Sequence, residues 1–320
     1  MGSRDLSYQS GDAYESVVQL LKQIQVEHAR VGRHLRHVDQ FLAGKSAREM
    51  DRTSSDNIAV KHQQQALEVY CLGSFYVRVD GEEITHWTCK KAKTLLEYLI
   101  DRQGRPVSRD TLMETLWPEC EPRMSGNNLK ATVRSLRQTL DFTNVPGSKS
   151  AWILFQDGHY LVNPSIDAWT DVGEFMDHWT LGWQQEREGK FDAAIREYLQ
   201  AEALYQGDYL EEDIYTDWTH YRREALKDVY FTILGKLSDH YIERDEFYRA
   251  IEYCQKIIDK DHCREDAYRR LMISHSRLGN RNRALEWYKI CESTIKTELS
   301  LLPDLQTQGL YNELRMASPV

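Results

Sequence analysis

Four positions in the C-terminal half recur at one spacing: Leu237, Tyr241, Ala250 and Cys254 return as Leu271, His275, Ala284 and Tyr288, each 34 residues later. A fixed period of this length constrains the fold more than composition does. Each unit is a helical segment that cannot bury its apolar face alone and must stack on its neighbours. An earlier copy lies 56 residues upstream, with Leu181, Gly182, Phe191, Ala194 and Tyr198 in the corresponding roles. The excess of 22 residues falls in YLEEDIYTDWTHYRREALKDVY and predicts a lengthened helix region there. Small Ala194, Ala250 and Ala284 let paired helices approach, so most Tyr and Trp of this half are expected in the core rather than in a ligand cage.

The periodicity differs upstream. Leu67, Val69, Cys71 and then Phe75, Val77, Val79 alternate with period two, split by Gly73-Ser74 and closed by Asp80-Gly81, which predicts short antiparallel strands. Helical spacing follows at Ala92, Leu95, Leu96 and Leu99, ending at Gly104. After Arg105-Pro106, Ser108 is the expected N-cap of a second helix, with Asp110 near its positive end, Leu112, Met113 and Leu116 inward and Trp117-Pro118 as its stop. A third helix spans residues 122 to 140, and Trp152 to Phe155 with Tyr160 to Val162 form a hairpin joined by Gln156-Asp157-Gly158-His159.

That third helix carries two stripes. Leu129, Val133, Leu136 and Leu140 stack on one face, while Lys130, Arg134 and Arg137 repeat the spacing one position later, about 110° around the helix. Between Glu121 and Asp141 there are four cations and no carboxylate. This is the pattern of a helix anchored by its leucines with its cations turned toward a nucleic acid. The alternative is a solvated face whose last turn favours cations, which accounts for Arg137 but not Lys130. Lys90, Lys91 and Lys93 are equally well read as a solvated helix start.

The chain has 41 basic against 50 acidic residues, a net charge of −9, and the imbalance sits in residues 165 to 320, with 20 against 30. Residues 66 to 164 are balanced at 12 against 12. Binding to phosphates must therefore use a local patch in the N-terminal half, since attraction is short-ranged at physiological salt. Six cysteines show no Cys-x-x-Cys pair and no zinc-site spacing, and read as reduced thiols. No apolar stretch approaches the ~20 residues of a membrane span, and MGSRDLSYQS lacks a signal region; the expectation is a cytoplasmic protein with no membrane partner.

Residues 13 to 43 place Val17, Leu21, Ile24, His28, Val31, Leu35, Val38 and Leu42 at alternating spacings of 4 and 3. This heptad pattern predicts a coiled-coil helix and a homodimer formed through it, the alternative being one amphipathic helix packed on the rest of the chain. Residues 44 to 65 have no apolar period and read as a linker. DQFLAGKS holds the GKS of a phosphate-binding loop without its first glycine or a preceding strand, so nucleotide hydrolysis is rejected. His34 and His37 could share a metal, but Arg30, Arg33 and Arg36 beside them argue for a solvated basic face. No catalytic motif or nucleophile and base pair is present, and the expectation is a protein that is not an enzyme and carries no cofactor or metal.

Sheet, three helices and hairpin are the order of a winged helix-turn-helix. Residues 66 to 164 resemble the OmpR-type winged helix, KKAKTLLEYLIDRQGRPVSRDTLMETLWPE matching its first two helices and NNLKATVRSLRQTL its recognition helix. The resemblance implies that the third helix enters the major groove and the wing touches the backbone. Base-edge candidates are then Asn127, Asn128, Lys130 and Arg134, while Arg137, Ser108, Arg109, Trp117 and His159 hold phosphates. The wing offers only His159 as a cation, a departure from that pattern. The 34-residue repeat is the tetratricopeptide period. A winged helix followed by such repeats resembles the SARP family of bacterial transcriptional activators, on GDYLEEDIYTDW…RREALKDVY, CREDAYRRLM and LGNRNRALEWYKICESTIKTELSLLPDLQTQGLYNEL.

The expected architecture is thus mainly α with a small β component: a coiled-coil helix at 13–43, a linker at 44–65, a winged helix at 66–164 and a tetratricopeptide-like α-solenoid, the bacterial transcriptional activator domain, at 165–316. The resemblance implies an activator that binds double-stranded DNA at promoter direct repeats and recruits RNA polymerase. A repeat scaffold or peptide or small-molecule sensor, whose winged helix mainly docks protein, is the alternative.

Overall fold

The computed structural model describes residues 66–141, 152–213 and 217–316. The expected coiled coil at 13–43 and linker at 44–65 lie outside the described residues.

The chain opens with β1 (Ala66–Tyr70), β2 (Tyr76–Val79) and β3 (Glu82–Glu83), followed by α1 (Lys90–Asp101), β4 (Val107–Ser108), α2 (Arg109–Leu116) and α3 (Pro122–Leu140). A hairpin of β5 (Ile153–Gln156) and β6 (His159–Val162) follows, and then β7 (Asp167–Thr170). The alternating apolar residues of the first strands are buried: Leu67, Val69, Val77 and Val79 are no more than 1% exposed. Asp80 and Gly81 both take positive φ to turn β2 into β3, as a tight hairpin requires. Ser108 caps α2 by accepting the Thr111 amide hydrogen at 3.0 Å. The leucine stripe of α3 is buried at every position, none above 4%. The wing turn is tighter than the four residues predicted, because Gln156 and His159 pair and leave Asp157-Gly158 alone in the turn.

Three short strands carry no sequence signal. β3 pairs with β2, and β4 joins β6 to make the wing sheet three-stranded, β4-β6-β5. β7 pairs in parallel with β1, so the first sheet runs β3-β2-β1-β7.

Helices fill the remainder: α4 (Asp171–Arg187), α5 (Phe191–Leu204), α6 (Asp217–Glu243), α7 (Phe247–Lys260), α8 (Glu265–Arg277), α9 (Arg281–Leu299) and α10 (Leu305–Met316). Neighbours pair as α4 with α5, α6 with α7 and α8 with α9. The repeat positions behave as their period predicts: Ala194, Ala250 and Ala284 are at most 2% exposed, and Tyr198, Cys254 and Tyr288 are buried between helices. The exceptions are Leu181 and Phe191, in the first helix pair of the stack, at 41% and 63%. Ion pairs stitch one repeat to the next, Lys236 to Glu186 at 2.7 Å and Arg270 to Asp239 at 2.7 Å.

The 22-residue excess has a structural purpose. Its first part, through a short turn of 3-10 helix at Glu211–Asp213, runs back against the winged helix, and its second part starts α6 early. The Leu210 amide donates to Cys71 O at 2.8 Å and the Gly73 amide to Asp208 O at 3.1 Å. A Cβ on Gly207 would sit 2.7 Å from Gly73 Cα, so the two loops meet at a distance only glycine allows. Tyr209 donates to Asp101, Arg222 donates to the same carboxylate, and Tyr98 meets Trp218 edge-on at 5.0 Å. One continuous apolar core therefore runs from the first sheet into the first repeats, across the expected boundary at residue 164.

Candidate nucleic-acid interface

Pro122 starts α3 at a position where its missing N–H costs nothing, and Ser125 returns its hydroxyl to the carbonyls of Cys120 and Glu121. With Leu129, Val133, Leu136 and Leu140 seated in the core, the helix has one rotational setting. Lys130 and Arg134 then face solvent, and among the described residues neither makes a hydrogen bond or an ion pair. Asn127 is exposed beside them and Asn128 half-buried. Asn127, Lys130 and Arg134 thus share the solvent side of α3, while Asn128 falls on its flank, about 100° or more from each of them.

The expected phosphate holders are more dispersed in role. Arg137 is half-buried and turns inward: its Nε and Nη2 both donate to Ile153 O, at 3.2 and 2.6 Å, tying α3 to the first wing strand. Ser108 is partly occupied as the cap of α2 and in a bond with Thr111 Oγ1. Arg109 is exposed, and its guanidinium lies over Gly126, where a Cβ would come within 2.6 Å of Nη2. Its backbone amide donates to Gly158 O at 2.9 Å, pinning the wing turn to the start of α2. Trp117 is half-buried with Lys91 Nζ 5.9 Å from its ring, and His159 is exposed with Nδ1 2.8 Å from Asp157 O. Of the early lysines, Lys91 donates to Leu116 O and Lys93 pairs with Glu212 at 2.6 Å, which leaves Lys90 exposed.

Between α3 and the wing runs an open groove, lined on one side by Lys130, Arg134 and Gln138 and on the other by Phe155 and Tyr160, with Asp141 at its end. Phe155 was not singled out by the sequence. Strand alternation places it on the same side as buried Ile153, and the core ends before it does, leaving its ring 50% exposed. No helix among the described residues is long and apolar enough to cross a membrane, and none of their acidic, His and Cys side chains cluster as a metal site.

Comparison with known proteins bears on the same two regions. Residues 85–154 match the family described as transcriptional regulatory protein, C terminal, and residues 170–315 match the bacterial transcriptional activator domain. The transcriptional regulatory protein MoaR1 of Mycobacterium tuberculosis is 21% identical over 255 residues, covering 80% of this chain and 81% of MoaR1. The transcriptional regulatory protein EmbR of Mycobacterium tuberculosis is 26% identical over 149 residues, 47% of this chain and 37% of EmbR. A solved structure of EmbR, in complex with a low-affinity phosphopeptide, superposes with a TM-score of 0.67 at 19% identity, covering 80% of this chain and 66% of that one. These relatives are transcriptional regulators rather than members of an enzyme class. With its winged helix and repeat stack in this order, the chain belongs to the SARP family of transcriptional regulators.

Proposed function

We propose that this protein is a cytoplasmic, sequence-specific DNA-binding transcriptional activator that occupies promoter direct repeats and recruits RNA polymerase. The observation that carries the reading is the pair Lys130 and Arg134, open to solvent and free of carboxylate partners among the described residues. In a chain with a surplus of acids, two unneutralised cations on one exposed helical ridge attract phosphate and, through Arg or Lys, guanine edges. Asn127 and Asn128 supply the adenine readers, Arg109 and Arg137 fix the helix and wing that present them, and Ser108, Trp117 and His159 flank the phosphate track. The acidic repeat stack holds polymerase near the promoter and raises its local concentration. Residues 13 to 43 join two copies; an unchanged monomeric mass in solution with and without residues 1 to 65 excludes that part.

The test is a gel shift of the full chain on the upstream DNA of its own operon. Lys130→Ala/Arg134→Ala is expected to lose specific binding while its melting temperature stays within a degree or two. Equal binding by both proteins overturns the reading. The alternative of a peptide-binding scaffold is less well supported, since cations between the repeats, Lys236 and Arg270, are already committed to Glu186 and Asp239.

A further inference from the structure

From Trp152 to Val162 the wing holds no lysine or arginine to grip a phosphate, and an aromatic ring borders the cleft beside α3 instead. We propose that Phe155 is a sequence-independent backbone contact, whose ring packs on a deoxyribose of the DNA strand that runs between α3 and the wing. The inference rests on the DNA-binding reading above and adds to it which part of the strand this wall of the cleft holds.

The cleft is built before any ligand arrives. Arg137 ties α3 to the Ile153 carbonyl with donors at 3.2 and 2.6 Å, and the Arg109 amide holds the Gly158 carbonyl of the wing turn at 2.9 Å, so the separation of the two walls is fixed. Phe155 pairs across the hairpin with Tyr160, and their rings meet with centroids 4.5 Å apart, which closes one side of Phe155 and leaves the other in solvent. Opposite stand Lys130, Arg134 and Gln138, the two cations without carboxylate partners among the described residues. A single exposed apolar residue is ordinary on a protein surface. One held against a second aromatic, across a cleft from two free cations, suits an occupant that is anionic and apolar by turns. A sugar-phosphate strand is such an occupant. With α3 in the major groove, the wing meets the strand at the edge of that groove, where bases are out of its reach. A neutral ring cannot neutralise a phosphate, but the sugar between two phosphates presents C–H groups, and covering these with the open face of Phe155 removes apolar surface from water on both. The Gln138 amide can donate to the adjoining phosphate. Asp141 at one end of the cleft repels phosphate, which keeps the strand toward Lys130.

The experiment uses the full-length protein and a duplex enriched by the wild type from a random pool. Each nucleotide is replaced in turn by a tetrahydrofuran abasic unit, which keeps the sugar ring, or by a propanediol spacer, which keeps the phosphates and removes the ring. For the wild type, the spacer at one position is expected to weaken binding about fivefold more than the abasic unit, the effect of half a ring's contact. Phe155→Ala is expected to bind the two modified duplexes equally, and Phe155→Leu, which keeps an apolar wall, to retain part of the difference. Damage to the duplex itself is common to all the proteins and cancels in this comparison. On unmodified DNA, Phe155→Ala should lose about fivefold on enriched and random duplexes alike, with an unchanged log–log salt slope, since no cation is removed. Thermal melting of both variants shows a folding defect separately. If the spacer-to-abasic ratio is the same for the wild type and Phe155→Ala at every position, the sugar contact is overturned while the DNA-binding reading stands. If Phe155→Ala loses affinity for the enriched duplex alone, the ring reads a base and the assignment is again wrong. If no duplex is enriched, the DNA reading itself fails and this inference with it.

Discussion

Arg134 and Arg137 stand three residues apart on one stripe, with the same chemistry and the same spacing from the leucines, yet they end in different places. Arg134 remains in solvent, while Arg137 spends two donors on the Ile153 carbonyl. Nothing local separates them; the difference arises because the wing docks against the last turns of α3 and not against the middle. Their substitutions should therefore differ in kind. Arg137→Ala leaves a wing carbonyl without its charged donors and should cost about 1–2 kcal/mol of stability, read by denaturant melts, with an unchanged salt dependence of DNA binding. Arg134→Ala should leave the melt unchanged, weaken binding and relax sequence preference; equal losses on target and random duplex would count against it as a base reader. A log–log salt slope reduced by ~0.9 in Arg137→Ala would return Arg137 to the phosphate track. Phe155 shows the converse: its exposure follows from where the core ends, which the residue pattern of a four-residue strand does not report.

At the scale of elements, the strands and helices with strong periods came through plainly, and the short strands did not. β1 and β2 announce themselves by alternation and α3 by its leucines, because both periods arise from burial on one face. β7 is different. Asp-Ala-Trp-Thr does not alternate, and a parallel pairing has no turn to mark it, so its partnership with β1 depends on the whole fold bringing residue 167 back to residue 66. Asp171, one residue beyond β7, secures that return. Its buried carboxylate accepts the amide hydrogens of Cys71 and Leu72, the latter at 2.8 Å, and that of Val172 at 2.7 Å. Asp171→Ala would leave these donors buried without acceptors, and we expect a loss of about 3 kcal/mol in denaturant melts. Asp171→Asn, which keeps one oxygen acceptor, should lose less. A melt unchanged by the alanine would mean that water or another group takes over the carboxylate's place.

For the molecule as a whole, the seam between winged helix and repeats carries a pH-sensitive group. Glu97 on α1 is fully buried there. Burial pushes its carboxyl up to about 8 from an ordinary value near 4.5; the charges of Asp213 and Glu212 across the seam add to the effect and Lys93, 3.7 Å away on α1, opposes it. The folded protein thus holds a proton that the unfolded chain releases. Stability should be greatest near and below pH 4.5 as far as this group is concerned, decline as pH rises toward about 8, and level off above it. Glu97→Gln should flatten that decline and be more stable than the wild type at pH 8 by ~1–3 kcal/mol, measured as denaturant midpoints from pH 5 to 9. Parallel curves for the two proteins would show that Glu97 is ionised in the fold.

The 34-residue period, the leucine stripe and the turn dipeptides were enough to specify a winged helix and a stack of helical pairs, because each reflects a local demand: one buried face, one cap, one tight turn. The joining of the two into one core came only with folding. The excess of YLEEDIYTDWTHYRREALKDVY reads as a longer helix, but its first residues form the strap that lays Tyr209 and Leu210 against Cys71 and Asp101. Such contacts lie more than a hundred residues apart along the chain and have no period, so their physical cause, the burial of two apolar surfaces against each other, exists only once both surfaces have formed.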